Sequence, residues 1–89
     1  MGTAIIVRVD GTKTPLQGRP SLKEAQGIVG GYIEFVKVGK NITLVVDEEG
    51  RVKQKPINRE ITQRYGHLIY GGYIVGDVLV LEGWRTVGS

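Results

Sequence analysis

Several residue types are scarce or missing in this chain of 89 residues. Cysteine is absent, which excludes a disulfide framework and any metal site built on thiolates. Aromatic residues make up only 7% of the chain, so a nucleic-acid surface based on stacking has few side chains to draw on. No apolar run approaches the ~20 residues that cross a bilayer, and no basic-then-apolar leader opens the chain. We therefore expect a soluble, cytoplasmic protein.

The residues that are present fit one small globular domain spanning 1–89. Hydrophobic residues account for 40% and charged residues for 24% of the chain, which is ordinary for a folded protein with one core. The net charge of +3 permits attraction to anions without requiring it. Its distribution is uneven, because five of the 12 cations fall within residues 51–64. They are Arg51, Lys53, Lys55, Arg59 and Arg64.

The chain also contains a pseudo-repeat of residues 4–38 and 42–81. Its clearest mark is the tetrad GGYI, which begins at Gly30 and again at Gly71. Each half predicts a strand, a helix and a strand. This order favours an α+β fold with a four-stranded antiparallel sheet and two helices on one face, as in a ferredoxin-like arrangement or a related curled sheet.

Local signals predict the limits of most elements. The capping-box spacing from Ser21 to Glu24 begins the first helix and the glycine pair at Gly30 ends it, while Asn58 begins the second helix and Gly66 ends it. Residues 12–20 hold two prolines and no apolar period, which is typical of a loop. The predicted strands are 4–9, 32–38, 42–46 and 73–81, and the middle two form a hairpin.

Two of these strands are apolar on both faces. Residues 42–46 and 78–81 lack the alternation of a strand that is half exposed to water. If both helices cover one face, the other face needs a second subunit, a curled sheet or the tail that carries Trp84. Of these, the pattern favours a homodimer.

Four short motifs occur in order along the chain. They are GGYIE at 30–34, DEEGRVK at 47–53, PINRE at 56–60 and IVGDVLVL at 74–81. Over residues 20–81 the sequence resembles a family of small uncharacterised proteins common in phages, prophages and mobile elements. Asp47 stands where that family usually has asparagine. The resemblance implies a viral or mobile-element source and brings no established activity.

The basic segment before the second helix is the strongest candidate site. If residues 51–55 are extended, Arg51, Lys53 and Lys55 project from one side, next to the helix start at Asn58 and Arg59. Such a cluster suits a phosphate or carboxylate. Tyr32 and Tyr73, at matching positions of the two halves, are candidates to flank a base. The alternative is that Asn58 only caps the helix, the cations form a solvated edge, and the tyrosines pack.

Other chemistry has weak support. The GGYI glycines follow a helix instead of opening one, so they indicate helix ends and not a phosphate loop. Asp47, Glu48 and Glu49 lack calcium-loop spacing and suit a charged turn, so we predict no metal and no cofactor. His67 is the only histidine and has no evident nucleophile partner, and nothing supports an acid–base pair of Glu34 and Asp77. We therefore predict no catalysis.

Three functions remain open on the sequence. The leading one is a non-catalytic phage or mobile-element protein that captures a small anionic ligand, such as a nucleotide-type signal of host defence. The second is a protein–protein module that inhibits a host factor through an uncovered sheet face or through Trp84. The third is weak nucleic-acid binding, for which a net charge of +3 is low.

Overall fold

The computed structural model describes residues 2–88 and contains one five-stranded sheet with two helices. The elements in chain order are β1 (Thr3–Val7), β2 (Lys13–Leu16), α1 (Leu22–Val29), β3 (Ile33–Lys37), β4 (Ile42–Asp47), α2 (Arg59–Tyr65), a 3₁₀ turn (Gly66–Leu68) and β5 (Val78–Glu82). The α+β class predicted from the sequence is confirmed. The count of four strands is wrong, because the described chain has five in this sheet.

The missed strand is β2, which lies inside the segment expected to be a loop. It pairs with β1 as a hairpin, and Pro15 lies opposite Ile5. Proline lacks an N–H group and is tolerated in a strand only at an edge or a bulge, and β2 is an edge strand of the sheet. The proline that argued for a loop is therefore compatible with the strand it occupies.

The strand order is β2-β1-β5-β4-β3, and every neighbouring pair is antiparallel. The sheet is thus two hairpins, β1–β2 and β3–β4, joined by β5 between them. In a ferredoxin-like sheet, strands joined by a helix run parallel with another strand between them. Here α2 joins β4 and β5, which are adjacent and antiparallel, so the ferredoxin-like order is wrong.

The two helices lie on opposite faces of the sheet, which corrects the expectation that both cover one face. On the α1 face, Ala25 and Val29 pack against side chains of β1, β4 and β5. On the α2 face, Ile61 packs against the alternate residues of the same three strands. The α1-face strand residues are Ala4, Ile6, Val45, Leu79 and Leu81, and the α2-face residues include Val7, Leu44, Val46 and Val78.

This arrangement explains why two strands, β4 and β5, are apolar at odd-numbered and even-numbered positions alike. Val45 and Leu79 are buried beneath α1, while Leu44 and Val78 are buried on the α2 side. The half-buried Trp84 also packs against the cluster on the α1 face, so the tail contributes to covering it. The pattern that favoured a homodimer therefore has another cause, and the homodimer stays a prediction without that support.

Both helix starts follow the predicted capping chemistry. The Ser21 hydroxyl accepts from the Glu24 N–H while the Glu24 carboxylate accepts from the Ser21 N–H, a complete capping box. Gly30 ends α1 with φ of 82°, a left-handed conformation that favours glycine. The Asn58 side chain accepts from the Ile61 N–H at the start of α2. The last strand begins at Val78 and not at residue 73, because residues 71–77 include three glycines with positive φ and pair only at an isolated bridge between Val75 and Ile57.

Candidate functional site

Lys53 and Lys55, two of the predicted ligand-binding cations, are paired with one buried carboxylate. The Asp47 side chain is 1% exposed and its Oδ2 lies 2.8 Å from the Lys53 Nζ and 2.7 Å from the Lys55 Nζ. The lysines also donate to backbone carbonyls at the end of α1, those of Gly30 and Val29 respectively. The α1 terminus is thereby supplied with the positive charge that the carbonyl end of a helix favours.

The charges of this cluster are partly balanced within the protein. Burial acts to raise the pKa of Asp47, but hydrogen bonds from Lys53, Lys55 and the Glu49 N–H outweigh it and lower the pKa to about 2. The hydrogen bond to Asp47 in turn raises the pKa of Lys53. Asp47 therefore binds both lysines and balances one of their two charges, and these contacts join the basic segment to α1 and β4.

Arg51 has a different environment, between backbone carbonyls and an aromatic ring. Its Nη2 donates to the carbonyls of Tyr70 at 2.9 Å and Tyr73 at 2.6 Å. Its guanidinium carbon lies 4.1 Å from the centre of the Tyr73 ring. Arg51 thus fixes the turn that contains Gly71 and Gly72, and Tyr73 is a packing partner of this arginine.

Asn58 is fully buried and its polar atoms are all used. Its Nδ2 donates to the carbonyls of Val7 at 2.9 Å and Gly76 at 3.0 Å, and its Oδ1 accepts from the Ile61 N–H. It is therefore a structural cap that ties β1 and the residues before β5 to α2. Arg59, the first residue of α2, is exposed and forms no ion pair among the described residues.

The predicted residues do not meet in one pocket. Residues 50–54 form turns, with Gln54 at a positive φ of 57°, so the three cations do not project from one side of a strand. Tyr32 is exposed and lines a hollow of about 300 Å³ with Lys53. Tyr73 does not line that hollow and lies against Arg51 instead.

A larger groove of about 470 Å³ lies along β3, which sequence reasoning did not single out. Two of its residues are large, apolar and strongly exposed: Val52 at 82% and Tyr70 at 94%. The sequence did contain a signal for their exposure: Val52 lies between two basic residues and Tyr70 precedes a glycine pair. Both positions indicate turns, and a turn seldom buries such side chains. The buried and half-buried apolar lining includes Val36, Val46, Ile69 and Ile74.

The outer edge of β3 adjoins this groove and has no partner strand among residues 2–88. The Glu48 N–H donates to the Tyr32 carbonyl and the Val38 N–H to the Ile42 carbonyl, so even-numbered positions bond to β4. Because hydrogen-bonded positions alternate in an antiparallel ladder, the odd-numbered residues of β3 direct their backbone groups away from the sheet. These residues are Ile33, Phe35 and Lys37.

The two sheet edges differ in how they are protected from further pairing. At the β2 edge Pro15 interrupts the row of donors, whereas β3 contains no proline. Phe35 is 42% exposed on the α1 face of β3, while Glu34 and Val36 lie on the opposite face. The β3 edge therefore offers free backbone groups with exposed apolar side chains nearby.

Acidic residues form no metal-binding group in the described part of the chain. Asp77 accepts from the Arg8 Nη1 at 3.1 Å and from the Val9 N–H at 3.0 Å, so its carboxylate is bound to the residues that follow β1. No group of three or more histidine, aspartate and glutamate side chains within residues 2–88 is placed to hold a metal ion. No helix among these residues is long and apolar enough to cross a membrane.

These features define a small α+β protein with an open sheet edge and a groove beside it. The comparison with known families gives the name of the group: residues 2–87 match the family described as a domain of unknown function, DUF3846, and the chain belongs to it. The match extends beyond the motif-bearing residues 20–81. No curated protein and no solved structure matches the chain.

Proposed function

We propose that this protein is a non-catalytic binding module that recruits another protein by adding an extended segment of that partner to the edge of β3. The single observation that supports this is the unpaired β3 edge beside a groove with exposed apolar residues. In such strand addition, main-chain hydrogen bonds give affinity and side-chain contacts give specificity. The groove supplies the apolar contacts through Val36, Val52 and Tyr70.

Protein binding has more support than the capture of a small anion. Lys53 and Lys55 are both bound to the one Asp47 carboxylate, Arg51 is bound to carbonyls, and Asn58 is buried. Only Arg59 of the basic set forms no contact with a described acidic or carbonyl group, and one exposed arginine gives little affinity or specificity for a nucleotide. Three aromatic residues of the described chain are exposed, Tyr32, Phe35 and Tyr70, which is few for a surface that stacks nucleic-acid bases.

We further propose a phage or mobile-element origin, on the resemblance of the four motifs. A cytoplasmic protein of the host is then the expected partner. Neither statement is needed for the β3 edge to act as the binding surface, so the binding test below is independent of them.

The test uses selection from a display library of random peptides, followed by NMR of the labelled protein with each enriched peptide. We expect enriched peptides to shift the amides of Ile33, Phe35 and Lys37 before those of other residues. Lys37→Pro removes an outward N–H and should abolish binding, whereas Lys37→Ala keeps that N–H and should retain it. Enrichment of no peptide, or equal binding by Lys37→Pro and Lys37→Ala, would contradict the proposal.

A further inference from the structure

Two carboxylates lie on the α2 face at the β3 edge, in a groove that is also lined by the cations Lys37 and Arg51. Lys37 belongs to the α1 face of β3, and Arg51 donates to backbone carbonyls. Glu34 is exposed on the α2 face of β3, and Glu48 follows β4 on the same face. Both line the groove, and neither forms an ion pair with any described residue. The α2 face at the open edge therefore carries two carboxylates without an ion-pair partner among the described residues.

The ladder geometry determines what an added strand would meet. With an antiparallel partner, Ile33, Phe35 and Lys37 would occupy hydrogen-bonded positions, and Glu34 and Val36 the non-hydrogen-bonded ones. Side chains at non-hydrogen-bonded pairs are the closest across a sheet, with Cα atoms about 4.5 Å apart. The partner residue opposite Glu34 thus has the strongest electrostatic interaction with its carboxylate. The residue opposite Val36 contacts an apolar side chain.

A second copy of this chain fits the edge poorly. Antiparallel pairing of two β3 strands about Phe35 would place each Glu34 opposite Val36 of the other copy. The two Glu34 side chains would then be diagonal neighbours, roughly 7–8 Å apart by backbone spacing. This like-charge contact disfavours a second copy in that register, so the edge favours a partner of opposite charge over another copy of this chain.

We propose that the β3 edge selects an extended segment with a basic residue opposite Glu34 and apolar residues opposite Val36, Phe35 and Ile33. From its N-terminal end, an antiparallel segment would have an apolar residue opposite Val36, a second apolar residue opposite Phe35 and then a lysine or arginine opposite Glu34. Opposite charges across a ladder stabilise the pair and like charges destabilise it, so the basic residue gives specificity as well as affinity. This inference rests on the proposed function and adds the chemistry of the partner to it.

The test uses two capped peptides, acetyl-STVVKVS-amide and acetyl-STVVEVS-amide, which differ only at the residue placed opposite Glu34. Amide shifts of β3 are titrated with each peptide at low salt. We expect the lysine peptide to bind about fivefold or more tightly than the glutamate peptide. The overall positive charge of the protein would produce the reverse order, so the preference reports the local carboxylates.

Glu34→Gln and Glu82→Gln form a matched pair of variants. Both glutamates are exposed, and both occupy α2-face positions, Glu34 on β3 and Glu82 on β5. Glu82 does not line the groove. The preference for the lysine peptide should shrink at least threefold in Glu34→Gln and persist in Glu82→Gln.

Three other outcomes would contradict basic-segment binding, the open edge or a foreign partner. Shifts of β3 that are equal for both peptides, or larger for the glutamate peptide, contradict the basic-segment inference and leave the β3 edge as a binding surface. Absence of β3 shifts with either peptide, together with an empty library selection, contradicts the proposed function itself. Shifts of β3 that grow with protein concentration alone identify a second copy of the chain as the occupant.

Discussion

At the scale of single residues, Asp47 connects three parts of the molecule. It is the last residue of β4, its carboxylate binds Lys53 and Lys55, and those lysines bind the carbonyl end of α1. The basic segment that was predicted to bind a ligand thus connects α1 with β4, and ligand binding by it stays a prediction. Arg51 acts similarly on the turn before β5 through the Tyr70 and Tyr73 carbonyls.

Asp47 should make the stability of the fold depend on pH. Its pKa is lowered from 3.8 to about 2, so its contribution is full above pH 3.8 and is lost as the pH falls through 2. The linked free energy is about 2 kcal/mol. We expect Asp47→Asn to lower the free energy of unfolding by about this amount at pH 7, with the gap to the native chain closing near pH 2.

Urea unfolding followed by circular dichroism at pH 7, 4 and 2 would measure this dependence. Glu48→Gln is the control, because Glu48 is the exposed neighbour of Asp47 and has no ion pair among the described residues. An Asp47→Asn deficit that is constant across this pH range would show that packing, and not charge, is the contribution of Asp47.

The role of Asp47 could have been predicted from the sequence in part. Side chains of a strand alternate, so Asp47 shares a face with the buried Val45 and is directed inward. The run from Asp47 to Glu49 instead suggested a charged turn with all three side chains in water. What the sequence could not supply is that the turn folds the lysines back over that carboxylate.

At the scale of elements, local chemistry predicted more than composition did. The capping box at Ser21, the Asn58 cap and the β3–β4 hairpin were all predicted correctly, because each depends on a few adjacent residues. Strand β2 and the start of β5 were not, since β2 is a strand only through its pairing with β1. The β3 edge was not predicted either, because an open edge is a property of the strand order.

Proline should destabilise β3 more at a residue whose N–H points toward β4 than at a residue whose N–H points away from the sheet. The Val36 N–H points toward β4, whereas that of Lys37 points away from the sheet. We expect Val36→Pro to be less stable than Lys37→Pro by about 2 kcal/mol, because only the former leaves a β4 carbonyl without its donor. Urea unfolding of both variants measures the difference.

Val36→Ala and Lys37→Ala separate the loss of each side chain from the loss of each N–H. Equal destabilisation by the two prolines after this correction would mean that the assigned ladder register is wrong. A stable Lys37→Pro also shows that its loss of peptide binding does not come from unfolding.

At the scale of the whole molecule, the central position of β5 is the feature that separates this sheet from the ferredoxin-like order. In that order the last strand lies at an edge, whereas here β5 lies between β1 and β4. We expect the amides of β5 to exchange with deuterium as slowly as global unfolding permits. The outward amides of Phe35 and Lys37 should exchange much faster than that of Val36.

Native-state hydrogen exchange by NMR would check this pattern residue by residue. The alternating rates within β3 serve as an internal reference for an edge strand. Alternating fast and slow amides along β5 would contradict a central position for that strand and would restore the ferredoxin-like alternative.

The place of β5 also has a consequence for synthesis of the chain. Each hairpin can pair within itself as soon as it is made, but they share a sheet only through residues 78–82. On the ribosome, a nascent chain would therefore hold two separate β-ribbons with apolar faces open to water until those residues leave the exit tunnel. Completion of the fold is thus expected to follow translation of β5, as a late step with long-range pairing.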